Sequence, residues 1–225
     1  MITFSEFSER LATGQLKNTS AVDADVSRTE ITCDHIDTIL SLTNQGLIDL
    51  STRMPLVTRQ VDLVFQTGKM LYAFDDSGVG DFLDDAATES FIPEDFVRVL
   101  NIYDESGCNH SHDTNGHILT PTYNTLRFTK TKMSELGEKV RIRYQAKHAG
   151  IDEEANIDLP PNLITALQLF VASLFISHMN GEEHSAKGDS YFAAYLRHLG
   201  EDEMRNISQT SEVDMDTRLY DRGFV

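Results

Sequence analysis

Four side chains with metal-binding chemistry stand close together near the middle of the chain: Cys108, His110, His112 and His117, in a stretch that also holds Gly107, Asn109, Asn115 and Gly116. A thiolate with imidazoles is a donor set that zinc accepts. The spacing matches no zinc module, and all four residues lie on one loop, whereas structural zinc sites join ligands from two elements. Two readings therefore stand, a metal site and an exposed polar loop, and the second is the better supported. His178 and His184, with Glu182 and Glu183 between them, superficially resemble a metallohydrolase helix. Such a helix needs its histidines at i and i+4 on one face, and these two are further apart and separated by Gly181.

Between Lys69 and Arg98 there is no basic residue, while Asp75, Asp76, Asp81, Asp84, Asp85, Glu89, Glu94 and Asp95 fall in the same interval. A calcium loop would alternate oxygen ligands ahead of an obligatory glycine, and no such register occurs here. The expectation is a solvated acidic excursion with no bound ion. Gly78 and Gly80 flank Val79 but lack the third glycine or the lysine of a phosphate cradle, and no nucleophile motif is present. The sequence thus points to no catalytic residue, no metal and no cofactor.

The elements that would carry these residues follow from periodicity. Phe4, Phe7 and Leu11 recur at helical spacing after Thr3 and Ser5, either of which can cap a short amphipathic helix. Residues 17 to 32 are polar and aperiodic. Asp34 is placed to cap a longer helix carrying Ile36, Ile39, Leu40, Leu47, Ile48 and Leu50 up to Pro55. Beyond Pro55 the period drops to two, with Val57, Arg59, Val61, Leu63 and Phe65 on one side and Thr58, Gln60, Asp62 and Val64 on the other, a mostly polar outer face. A turn at Thr67 and Gly68 predicts a hairpin with Met70, Tyr72 and Phe74. Further strands are predicted at residues 97–103, 125–129 and 139–147, the last alternating Val140, Ile142 and Tyr144 against Arg141, Arg143 and Gln145.

Pro160 and Pro161 suit the first turn of a helix, where the missing N–H has no partner to lose. The following residues, Leu163 to Met179, are apolar around most of the circumference, so this helix is expected to be buried on most sides, partly against another copy of the chain. Phe170, Leu174 and Phe175 are the candidate subunit-interface residues. Asn180 and Gly181 end it, and a second helix from about Ser185 places Tyr191, Ala194, Tyr195, His198 and Leu199 on one face.

The resulting class is α+β: a helical bundle with an inserted antiparallel β-rich region and an extended C-terminal tail. The division is helical at 1–55 and 158–205, β-rich at 56–157, together one domain over 1–205, and a tail over 206–225. The formal charge of −17, from 36 acidic and 19 basic residues, opposes any grip on nucleic acid through phosphate neutralisation. Two cysteines are too few for a disulfide scaffold and fit a reducing compartment. Residues 1 to 20 lack the apolar run of a secretory signal, and 163–179 is short for a bilayer span, so a soluble chain without a membrane partner is expected.

Several segments resemble the head-to-tail connector, or adaptor, proteins of short-tailed phages. They are Ala12 to Thr19 after a short helix, Leu42 to Leu50, Arg53 to Leu56 ahead of a strand, Thr120 to Leu126, Tyr144 to His148, and Leu159 to Leu163 with the helix that follows. The likeness runs from about residue 4 to 205 in order of elements. It implies a virion structural protein without an active site, assembled in the host cytoplasm into a ring, usually of twelve subunits, at the head-tail junction. Such a ring extends the portal channel for genome ejection, offers a platform for tail nozzle or fibre proteins, and lets DNA pass without binding it. Connectors of this type send a terminal segment up between portal subunits, and the tail here carries Arg218, Leu219, Tyr220, Arg222 and Phe224 as candidate portal-binding anchors. The acidic interval from Asp75 to Asp95 has no counterpart in the resemblance. The alternative function is a metal-dependent enzyme using Cys108, His110, His112 and His117.

Overall fold

The computed structural model describes residues 2–22, 30–76, 78, 81–83, 91–110, 116–179 and 182–205. Helices and antiparallel sheets are both present, so the class is mixed α+β. The chain divides into two compact units, Met1–Ile39 with Glu154–Val225, and Leu40–Glu153.

In the first unit, helix α1 (Phe4–Thr13) is capped by Thr3, while Ser5, the other residue able to cap it, lies inside the helix. The Thr3 hydroxyl accepts from the Glu6 N–H at 3.1 Å, and the Glu6 carboxylate accepts from the Thr3 N–H at 3.2 Å. This reciprocal box satisfies two backbone donors that a helix start leaves unpaired. Strand β1 (Ile2–Thr3) pairs antiparallel with β9 (Asn156–Ile157), and the Phe4 N–H reaches the Ala155 carbonyl at 3.2 Å. The N-terminal segment is thereby tied to the approach to helix α4 (Pro161–Ser177), whose N-cap is Pro160. Phe4, Phe7 and Leu11 on α1 are buried, and α1 packs on α4.

Helix α5 (Glu182–Arg205) starts before the predicted Ser185 and lies along α4. Their close approach has a local cause at Gly188, where any side chain would overlap the Ser177 hydroxyl and sit 3.0 Å from the Ser173 carbonyl oxygen. Phe170 meets Tyr195 edge to face at 5.2 Å, and the His198 ring donates to the Asn162 carbonyl at 2.9 Å. Tyr195 and Leu199 are buried and Tyr191, Ala194 and His198 half-buried, which is the face that the spacing predicted.

Helix α2 (Cys33–Arg53) contains the unit boundary. Asp34 does not cap it: the helix already includes Cys33, and Asp34 sits in its first turn. A carboxylate there still favours the positive helix end.

The second unit holds two sheets. Four strands run in the order β4 (Phe82–Leu83), β2 (Val57–Val64), β8 (Lys139–Ala146), β5 (Phe96–Tyr103), and three in the order β3 (Leu71–Ala73), β7 (Thr125–Phe128), β6 (Ile118–Leu119). The predicted pairing of β2 with the Met70–Phe74 strand does not form. The chain does turn at Gly68, which takes φ 84°, but the Tyr72 hydroxyl donates to the Lys69 carbonyl and accepts from the Gln66 N–H, and β3 joins β7 instead. A turn signal fixes a reversal and not the partner strand.

Val61, Leu63, Val140, Ile142 and Tyr144 are buried as their alternation requires, in a core shared with Tyr72, Phe74, Phe91, Phe96 and Phe128. Each fully buried aliphatic side chain here contributes about 1.5–3 kcal/mol. Helix α3 (Lys130–Leu136), capped by the Thr129 hydroxyl, adds Leu136 to this core. Gln145, on the nominally polar face of β8, is fully buried. Its amide donates to the Ser51 and Met54 carbonyls at 2.5 and 2.9 Å, pairing acceptors that the end of α2 leaves open, and its carbonyl accepts from Arg98 at 2.8 Å.

Candidate functional site

The loop that follows β5 is folded by its own polar groups. Asp104 Oδ1 accepts from the Ser106 N–H, the Ser106 hydroxyl and the Cys108 N–H, at 2.9, 2.6 and 2.9 Å. The second carboxylate oxygen accepts from His110 Nε2 at 2.9 Å. The His110 hydrogen bond, followed by those from Ser106 and Cys108, holds the Asp104 carboxyl well below the usual carboxylate range. His110 is thus oriented by a carboxylate rather than by a neighbouring imidazole. His117 lies beyond the loop, its Nδ1 3.3 Å from the Thr129 hydroxyl. Cys108 is exposed with a free thiol near the Ser106 hydroxyl. His112 lies outside the described residues. Among the described residues no group of three or more His, Cys, Asp or Glu side chains is placed to hold a metal ion. His178 donates from Nδ1 to the Leu174 carbonyl at 2.6 Å, and His184 lies in the first turn of α5, so the two do not share one helix face.

The acidic stretch does not behave as one solvated loop. Asp81 is 4 % exposed and receives Lys69 Nζ at 2.5 Å and the Gln66 amide at 2.7 Å. Asp95 pairs with Arg59 at 3.1 Å. Gly78 is required between them and Asp75, because a Cβ there would overlap the Ala73 carbonyl. Asp84, Asp85 and Glu89 lie outside the described residues. The expectation of a solvated excursion is therefore corrected for Asp81, whose charge is matched by a lysine brought round by the Gly68 turn.

The remaining carboxylates of the stretch, Asp75, Asp76 and Glu94, line a cleft of about 450 Å³ in the second unit. Phe74 and Phe96 stack beneath them, ring centroids 4.4 Å apart and planes 14° from parallel. Tyr123 stands at the cleft and is 79 % exposed. It sits on a turn held by hydrogen bonds: the Thr122 N–H donates to the Thr125 hydroxyl at 3.2 Å, the Thr125 N–H to the Thr122 carbonyl at 3.3 Å, and the Phe74 N–H to the Asn124 carbonyl at 2.7 Å. Phe74, Phe96 and Tyr123 lie in separate segments, so no spacing in the sequence marks this site. The available signal was Pro121-Thr-Tyr-Asn-Thr125, turn chemistry with a large aromatic at its tip.

Of the residues predicted to meet another copy, Phe170 and Phe175 are 8 % and 6 % exposed within a single chain. Tyr195 covers the first, and the His35 ring stands edge to face with the second at 5.4 Å. The apolar breadth of α4 is largely taken up by its own chain, and Leu174 alone of the three stays half-buried. The better-exposed apolar pair is on α5, where Phe192 and Leu196, one turn apart, are 38 % and 42 % exposed. Arg218, Leu219, Tyr220, Arg222 and Phe224 lie outside the described residues. Among the described residues no helix is long and apolar enough to cross a membrane. No protein-family model matches the sequence, and no curated protein matches it significantly.

Proposed function

We propose that the chain is a virion structural protein, an adaptor ring that joins the portal to the tail and extends the DNA channel. The observation that supports this most is the order in which connector-like segments occur from residue 4 to 205, with long helices at either side of the β-rich part. In this reading the helices form a bundle, the β-rich region is an insert, and residues 206–225 are an extended tail that docks on the portal. The net charge of −17 suits a lumen past which DNA slides without adhering. Phe192 and Leu196 add an exposed apolar strip that a neighbouring copy in a ring would cover, together with the half-buried Leu174. Partners are other copies of the chain, the portal, and nozzle or fibre proteins, and the function needs no cofactor.

The test uses the full chain and the portal ring of its own virus. Binding is measured for the full chain and for one lacking residues 212–225. The reading predicts association that falls at least roughly tenfold on truncation, since a weak tail contact repeated around a ring is amplified by effective concentration. A full chain that does not bind the portal would overturn it.

A further inference from the structure

We propose that the cleft of Phe74, Phe96 and Tyr123 is a docking site for an extended segment of a partner protein that carries an arginine beside an aromatic or aliphatic residue. This inference does not rest on the ring. Its first support is concavity with the right chemistry. The cleft volume of about 450 Å³ is in the range of sites that take a ligand, and its base is a stacked pair of buried aromatics.

The second support is charge. Asp75, Asp76 and Glu94 line the cleft against the single cation Lys147 among its described lining residues, so a cationic group entering it finds excess negative charge. A guanidinium suits this pairing of acid and ring better than an ammonium does. Its planar fork donates two parallel hydrogen bonds to a carboxylate and its face stacks on an aromatic. The third support is Tyr123. Tyr123 is 79 % exposed on a turn whose backbone is fixed by hydrogen bonds, and its side chain has only two rotatable χ angles, so covering it costs little ordering entropy while burying a large amphipathic surface. That surface extends the site beyond one side chain, which favours a peptide over a small organic cation.

The experiment pans a displayed random-heptapeptide library against the full chain, then measures an enriched peptide by fluorescence anisotropy. Enriched sequences should carry arginine next to an aromatic or aliphatic residue, and binding should weaken between about 50 and 300 mM salt as exposed charges are screened. Replacing that arginine by citrulline, or the protein's Tyr123→Ala or Asp76→Asn with Glu94→Gln, should each lower affinity at least roughly tenfold. All three protein positions are exposed, so the fold should be unaffected, which circular dichroism melting checks. Should Tyr123→Ala alter melting, Asp76→Lys with Glu94→Lys reads the same claim by abolishing selection of basic peptides. The proposal is overturned if no peptide is enriched, if enriched peptides lack basic residues, or if they bind the variants as well as the original. It is also overturned if sedimentation shows self-association that Tyr123→Ala abolishes, since the occupant would then be a second copy.

Discussion

Two glycines on one helix make opposite predictions. At Gly188 an added methyl would overlap Ser177 Oγ, lie 3.0 Å from the Ser173 carbonyl oxygen and 3.2 Å from Ser177 Cβ. At Gly200 nothing lies within 4 Å of the same methyl. Alanine in a helix interior gains about 1 kcal/mol over glycine from backbone entropy. Gly200→Ala should therefore stabilise the protein by about 0.5–1 kcal/mol. Gly188→Ala receives the same gain but must push α5 away from a backbone oxygen that cannot rotate aside, an overpacking cost of about 1–3 kcal/mol. The net is a loss of about 0–2 kcal/mol. Ser177→Ala in the Gly188→Ala background removes the nearest obstacle and should recover part of that loss, leaving the share due to the carbonyl. Urea unfolding followed by far-ultraviolet circular dichroism measures all four proteins. If Gly188→Ala stabilises as much as Gly200→Ala, the α4–α5 contact is not as close as described, and the explanation of Gly188 fails.

Asp62 is 1 % exposed and holds Arg141 Nε at 2.9 Å and Lys139 Nζ at 3.0 Å. Asp62→Asn should cost about 1–3 kcal/mol, less than a fully buried pair would, because both cations keep access to water. Burial pushes the Asp62 carboxyl up, but the bonds and charges of Arg141 and Lys139 outweigh it and hold the group below its ordinary value. The folded state thus binds fewer protons, so the stabilisation is complete above about pH 4 and is lost as pH falls through the lower folded value. Urea midpoints should drop more steeply below about pH 4 in the original than in Asp62→Asn, and parallel profiles would refute the assignment. Thr3→Ala removes the cap of α1 and should lower stability by about 1 kcal/mol, whereas Thr3→Ser should not; equal effects would argue against the capping box. Phe175→Ala should cost about 3–5 kcal/mol in the free chain, because its own chain covers the ring. A negligible loss would return Phe175 to the subunit interface.

Much of the fold was legible where a long element kept one period. Val140, Ile142 and Tyr144 gave β8, the two prolines gave the start of α4, and Phe4, Phe7 and Leu11 gave α1. Short elements left no such trace. The two-residue strands β1, β4, β6 and β9 offer no alternation to count, and α3 has only Met133 and Leu136 at helical spacing. Pairing was harder than existence, as the β3 register shows, because partner choice depends on residues far along the chain. Asp62 and Gln145 were assigned to polar faces by alternation alone, yet both are buried. Their partners, Arg141 across the sheet and the end of α2, become visible only once β2 and β8 are in register. The aromatic cleft escaped for the same reason, since its stacked base comes from residues on either side of the acidic stretch.

Native mass spectrometry of the full chain assembled with its portal ring tests the central claim most directly, because mass counts copies without reference to shape. The account predicts a discrete complex in which the chain forms one closed ring on the portal, of about twelve copies by the connector resemblance. Free monomers beside an unoccupied portal, or a variable number of chains bound without closure, would contradict it.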